Sequence, residues 1–384
     1  MTEKLYYSDS RLTEFSATVL ECEEYNGNWS VLLDKTAFSP EGGGQGSDRG
    51  TLGNARVSDV RINDEMIYHI TDKPLCVGQA VTGIIDYERR FDFMQQHSAE
   101  HIASGIAHRL YGCENVGFHL GEDIVTFDFD KPLNRSQIEK IEELTNEAVF
   151  KNLPVRAYFP DKNELENIEY RSKKELEGEI RLVEIEDTDI CACCALHVNF
   201  TGEIGIVKLS CLENIRGGVR IELKAGKRAL ADYKNKCENI LRISNSLCVK
   251  KEDAAEAVER LLSGTEALKY EITGLKRRAI IDKITAFSDD RRVTAMIADG
   301  FGIKELQSLA DGLYKAYNGI RGVFSPKKDA YAFVICGESG ELDTFFKDFK
   351  NSFSLRGGGR NGMVQGTVFA DFGDISSFFS QKIK

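Results

Sequence analysis

In QQHSAEHIASGIAHRLYG, residues 95–112, His97 and His101 stand four residues apart, with Glu100 between them. On a helix that spacing projects both imidazoles from one face, where they can share a metal ion. Further along, DICACCALH supplies a second ligand-spaced pair, Cys193 and His197. A thiolate with two or three imidazoles is the donor set that borderline-soft Zn²⁺ selects. The expected ligands are therefore His97, His101, Cys193 and His197. Cys193 is preferred to Cys191 and Cys194 because it keeps the four-residue spacing to His197. Two other readings stay open at this point. One is a pair of histidines on an ordinary helix. The other is a zinc peptidase in which His-x-x-Glu-His supplies two ligands and Glu100 acts as general base. A third stretch, TAFSPEGGGQGSDRG at residues 36–50, has three consecutive glycines before Gln45. Glycines let backbone approach a ligand closely and present its N–H groups.

These residues need a scaffold. The chain has 384 residues, is 42% hydrophobic and 29% charged, and can bury more than one core. No apolar run approaches the roughly 20 residues that span a bilayer, and the start MTEKLYYSDS has no apolar signal region, so a cytoplasmic protein is expected. Ten cysteines in this length do not make a small secreted disulfide framework. The net charge of −11 argues against a wholly basic nucleic-acid binder. It is uneven: from residue 290 onward 13 Lys+Arg face 11 Asp+Glu, so local basic groups can still meet phosphates.

The patterning predicts an α+β multidomain chain. Residues 1–90 read as short strands around an Asn26-Gly27 turn, a compact β-barrel or sandwich carrying the glycine-rich motif. Residues 91–227 mix elements. A helix is expected from Phe91 to Tyr111 with Gly112 as its cap, a second helix after Asn134, and strands in DIVTFDFD, IRLVEI and IGIVKL. Residues 228–288 carry two heptad runs, Leu230 to Leu247 and Val258 to Ala279, that predict an antiparallel helical hairpin arm. Two amphipathic helices packed on a neighbour fit the same pattern. Residues 289–384 alternate strand and helix, a small α/β domain with a glycine-rich loop in LRGGGRNGMVQGTV.

Taken together, TAFSPEGGGQGSDRG, HSAEH and CCALHVNFTGEIG, in that order, resemble the editing domain of alanyl-tRNA synthetase and its free-standing relatives, the AlaX trans-editing proteins. RFDFMQQHSAEHI and GFHLGED are similar to the longer AlaX proteins, and RGGGRNGMVQG to the synthetase's last domain. The resemblance implies zinc-dependent hydrolysis of the ester joining a wrong amino acid to tRNA(Ala), serine first and glycine next. A pocket sized for alanine rejects neither of those well, so a second hydrolytic site improves fidelity. It also implies that Gly43, Gly44 and Gln45 line the pocket near the terminal adenosine. Glu100 and His119 become candidate acid/base or hydroxyl-recognising groups. Arg216, Arg220, Arg356 and Arg360 become candidate contacts to the tRNA backbone. The helical arm becomes a candidate homodimer contact. The family usually has Gly-Thr before the last histidine. Here Ala195-Leu196 stands in that place, which makes a tRNA-binding homologue without catalysis the remaining alternative.

Overall fold

The structure, a computed structural model, describes residues 1–172 and 179–382. It divides into two compact units, Met1–Leu241 and Arg242–Lys384.

In the first unit, Asn26 and Gly27 both take left-handed φ, 49° and 77°. They join Glu14–Tyr25 and Asn28–Leu33 in a tight hairpin, the geometry an Asn-Gly pair favours. Four further strands, Met66–Thr71, Ala55–Asn63, Gly50–Leu52 and Ala80–Ile85, extend the sheet until the last pairs back with Glu14–Tyr25. The circuit is a closed six-stranded barrel. Alternate residues of Ala80–Ile85 are buried and exposed, as a strand with one wet face requires.

His69 is buried inside this barrel. Its Nδ1 donates to the Val31 carbonyl (3.1 Å), so Nε2 is left to accept from the Thr36 hydroxyl (2.8 Å). Burial pushes the imidazole down to about 4, against the Val31 contact that favours charge. The unfolded chain therefore binds a proton here between pH 6.5 and 4 that the folded chain refuses. Stability present above pH 6.5 is lost as pH falls through that window, by about 3 kcal/mol. Acid titration followed by fluorescence of Trp29, the single tryptophan, checks this. In His69→Asn the loss over the same window is expected to shrink by that amount.

The barrel leads into the helix Tyr87–Tyr111, here called the histidine helix. It starts earlier than the apolar pattern predicts because Asp86 caps it, accepting from Arg89 N at 3.2 Å. Gly112 ends it in left-handed conformation, φ 60°. Residues 93–107 are buried all round. The helix packs against a four-stranded sheet (Val207–Ile215, Gly218–Ala225, Val125–Phe129, Asn115–Leu120), the second helix Arg135–Phe150, and the strand Asp189–Ala192. Asn134 and Gln137 form a capping box at the start of that second helix. One apolar core runs from the barrel (Val19, Leu52, Val81) through Ile102 and Ile106 to Ile221 and Leu223.

The second unit carries a five-stranded sheet in the order Val293–Ile297, Ile320–Lys327, Ala330–Cys336, Met363–Phe369, Ser354–Arg360. Only the first neighbouring pair is parallel, joined by the crossover helix Ile303–Tyr317; a second helix, Ser339–Ser352, crosses from Ala330–Cys336 to Ser354–Arg360, and Met363–Phe369 is inserted between those two strands. Phenylalanines 324, 333, 345, 349 and 379 fill one core of this unit. The helix Ala254–Thr285 joins the other through Ile280 and Ile284, which pack with Leu306, Leu309 and Leu313. Its heptad residues Leu261, Leu268, Ile272 and Leu275 are exposed. The expected glycine-rich loop is instead an edge strand, Ser354–Arg360, turning at Asn361-Gly362. A Cβ at Gly357, Gly359 or Gly366 would lie 2.3, 2.0 or 2.2 Å from a backbone oxygen of the paired strand. Those glycines are thus required by strand-to-strand approach.

Candidate metal centre

The histidine helix places His97 and His101 on one buried face. The chain leaving the strand Asp189–Ala192 turns back over them and brings Cys193 and His197 to the same point. Arg181 shapes this turn, donating from Nη1 to the carbonyls of Cys193 (3.0 Å) and Ala195 (2.8 Å). Its guanidinium lies 4.8 Å from the Tyr7 ring centre, and the Tyr7 hydroxyl donates to the Cys194 carbonyl at 3.2 Å.

Ligand atoms of His97, His101, Cys193 and His197 all lie within 4.8 Å of one another. Cys193 Sγ is 3.7 Å from His97 Nε2 and 3.5 Å from His197 Nε2. A tetrahedron with Zn–N near 2.05 Å and Zn–S near 2.3 Å has an N···S edge of about 3.6 Å. The donor set and its spacing therefore fit a tetrahedral divalent ion. Each imidazole also has a polar side chain beside its Nδ1, in hydrogen-bond geometry for His97 and His197 and as an ion-pair contact for His101. His97 Nδ1 lies 3.1 Å from Gln45 Oε1, His197 Nδ1 lies 3.1 Å from Ser98 Oγ, and His101 Nδ1 lies 3.3 Å from Asp189 Oδ2. Partners of this kind fix the tautomer that leaves Nε2 free to ligate.

The electrostatics favour a thiolate. Burial opposes charge on Cys193, but the His97 charge and hydrogen bonds to all three histidines hold its thiol well below the ordinary range. Burial would lower His101, yet its bonds to Asp189 and Cys193 push it up to about 9. Burial, with the neighbouring His101 charge, pushes His197 down to about 3.

The glycine-rich motif closes over this cluster. Gly42 and Gln45 exchange backbone hydrogen bonds at 3.0 Å, and Gly43 and Gly44 between them take φ of 62° and 82°. A Cβ on Gly43 would sit 3.5 Å from both Cys193 Sγ and His97 Cε1, so its bare Cα faces this His/Cys cluster. The loop is pinned from below by Asp48. That carboxylate accepts from Ser39 N (2.6 Å) and from the fully buried Arg90 through Nε (3.2 Å) and Nη2 (2.5 Å). A cavity of about 990 Å³ opens onto the cluster, lined by His97, His101, Cys193, Gly43, Gly44 and Phe118 among others.

The remaining candidates are placed less uniformly. Gln45 is buried against His97 and does not line the cavity. Glu100 is fully buried, bonded to Ser104 (2.5 Å) and to Asn115, and does not line the cavity. That placement withholds the base a His-x-x-Glu-His peptidase needs. His119 is exposed on the strand Asn115–Leu120 and also lies outside the lining. Arg216 is exposed in the turn after Val207–Ile215. Arg220 is held by Asp128 at 2.7 and 2.8 Å and by Glu213 at 3.0 Å, so carboxylates already meet its charge. In the second unit Arg356 lies 6.0 Å from the Phe369 ring centre, and Arg360 is exposed at the end of its strand. Leu196 is fully buried in the core and is not among the residues lining the cavity. Sequence reasoning missed Ser98, Asp189, Arg90 and Arg181. Each acts through a partner distant in the chain, and only the position of Ser98 between the two histidines hinted at a role.

Comparison with known proteins agrees with this geometry. The model of the threonyl and alanyl tRNA synthetase second additional domain matches residues 180–222, which include Cys193 and His197. The alanine–tRNA ligase of Ignicoccus hospitalis is 33% identical over 74% of this chain and 33% of its own length, and that of Methanobrevibacter smithii 29% over 89% and 39%. The chain thus spans roughly a third of the length of the ligases it matches. The alanyl-tRNA editing protein Aarsd1 of Rattus norvegicus is 31% identical over 70% of both chains. With two thirds of that free-standing relative covered at this identity, the chain belongs to the AlaX-type family of alanyl-tRNA editing proteins.

Proposed function

We propose that the protein hydrolyses the ester of tRNA(Ala) carrying the wrong amino acid, serine first and glycine next, with zinc held by His97, His101, Cys193 and His197. The observation that carries this reading is the convergence of those four side chains on one point beneath the bare Cα of Gly43, open to the cavity. Zinc held there would supply positive charge beside the ester. The protein's own groups do the rest. Gln45, Ser98 and Asp189 hold the three imidazoles in one tautomer. The glycine loop leaves room for the aminoacyl group where a side chain would stand. Phe118 walls the pocket.

The test is release of labelled amino acid from Ser-, Gly- and Ala-tRNA(Ala), with and without chelator. Release of serine that chelator abolishes and added zinc restores is expected. Tight tRNA binding with no release, or release indifferent to chelator, sinks the reading. A Gly43→Ala variant, strained at its left-handed φ of 62° but with its methyl only in contact with Cys193 and His97, is expected to keep its zinc. Its kcat/KM should fall roughly 10- to 100-fold, since small misplacement of a reacting group is costly. Unchanged kinetics would place substrate elsewhere.

A further inference from the structure

The three imidazoles are not held alike. His97 and His197 meet neutral groups, Gln45 and Ser98, whereas His101 meets a carboxylate. That carboxylate, Asp189, is buried and clamped by Arg171, whose Nε and Nη2 donate to its two oxygens at 2.7 and 2.8 Å. Arg171 is fixed in turn by the strand it grips: its N donates to Ile190 O and its carbonyl accepts from Ala192 N, both at 2.9 Å. On the histidine helix, one turn beyond His101, stands Gly105. A Cβ there would lie 2.6 Å from Thr188 O and 2.7 Å from Asp189 Cβ. Without a glycine at 105 the strand could not come close enough for Asp189 to reach His101.

We propose that Asp189, clamped by Arg171 and admitted by Gly105, is a positioning residue that orients His101 for the metal and strengthens it as a ligand. A carboxylate accepting from Nδ1–H fixes the ring and raises the donor strength of Nε2. Arg171 keeps both carboxylate oxygens in place and offsets their charge, so the buried pair adds orientation without adding net charge to the centre. The inference rests on the metal assignment above but adds a role outside the four ligands.

The experiment measures zinc affinity of the full chain by competition with a chromophoric chelator, for wild type, Asp189→Asn and Arg171→Gln. Long-range ¹H–¹⁵N spectra of the zinc-loaded proteins report the His101 Nδ1 proton. Asp189→Asn is expected to bind zinc 10- to 100-fold more weakly, to shift the His101 Nδ1 signal, and to leave those of His97 and His197 in place. Arg171→Gln, which keeps the carboxylate but frees it, should give a smaller loss of the same sign. Zinc affinity within twofold of wild type in both variants, with lowered thermal stability alone, makes the pair a structural ion pair and overturns the proposal. Wild type that binds no zinc overturns the metal assignment itself, a distinct result. Should Asp189→Asn fail to fold, Arg171→Gln decides between the two roles by the same affinity and spectra.

Discussion

Cys193→Ala is expected to lose its zinc and, with it, ester hydrolysis by a factor on the order of 10³ or more. Cys193 is the one anionic donor in the set, and it is the point on which Nε2 of His97 and His197 both close at 3.7 and 3.5 Å. Its removal leaves three imidazoles facing one another, with centroids 4.5–5.1 Å apart. Neighbouring thiols do not replace it. Cys191 lies near His101 and Asp189, but burial pushes its thiol up, so it stays protonated. Cys194 is exposed and its Sγ faces Gly42. Zinc content by atomic emission, with single-turnover deacylation, checks this, and Cys194→Ala retaining full zinc is the control. One zinc per chain in purified Cys193→Ala would refute the ligand assignment.

Asp48→Ala is expected to destabilise the first unit by about 3–5 kcal/mol, because it strands the guanidinium of Arg90 in a site with no access to water. Besides Asp48, Arg90 donates to the carbonyls of Ser10 (3.2 Å), Leu12 (3.1 Å) and Ala37. It therefore joins the histidine helix to three segments of the barrel side. At this size each kcal/mol moves the midpoint by about 2–4 °C, so a fall of roughly 10 °C is expected. Asp48→Asn, which keeps an acceptor for Ser39 N, should cost less. Urea unfolding followed by Trp29 fluorescence reads the loss. The same variant should weaken zinc binding, because the loop that carries Gln45 to His97 loses its anchor. A stability change below about 1 kcal/mol in Asp48→Ala would show that the charge is met elsewhere.

The four candidate ligands were legible in the sequence because each pair is local. Spacings of four along a helix and through one tight turn bring side chains together whatever the rest of the chain does. The Asn26-Gly27 hairpin and the caps at Asn134 and Gly112 were legible for the same reason: they depend on a few adjacent dihedrals. Glu100 was misleading on that footing. Sequence proximity to His101 suggested chemistry, but one residue of helix turns a side chain by about 100°, and Glu100 went to Ser104 and Asn115 instead. The glycine run near residue 357 misled in the opposite way, since a demand for close strand pairing and a demand for a flexible loop select the same residue.

Residue types and local spacing alone determined that this chain offers a His₃Cys donor set, a glycine-rich loop and a mixed α+β scaffold. Only the tertiary structure decided that Gln45, Ser98 and Asp189 each hold one imidazole, that Arg90 and Asp48 lock the loop, and that Leu196 faces the core. Those contacts join residues 42 to 99 positions apart. Nothing in a local pattern specifies such pairs, because they form only when the barrel, the histidine helix and the strand Asp189–Ala192 pack around the core they share.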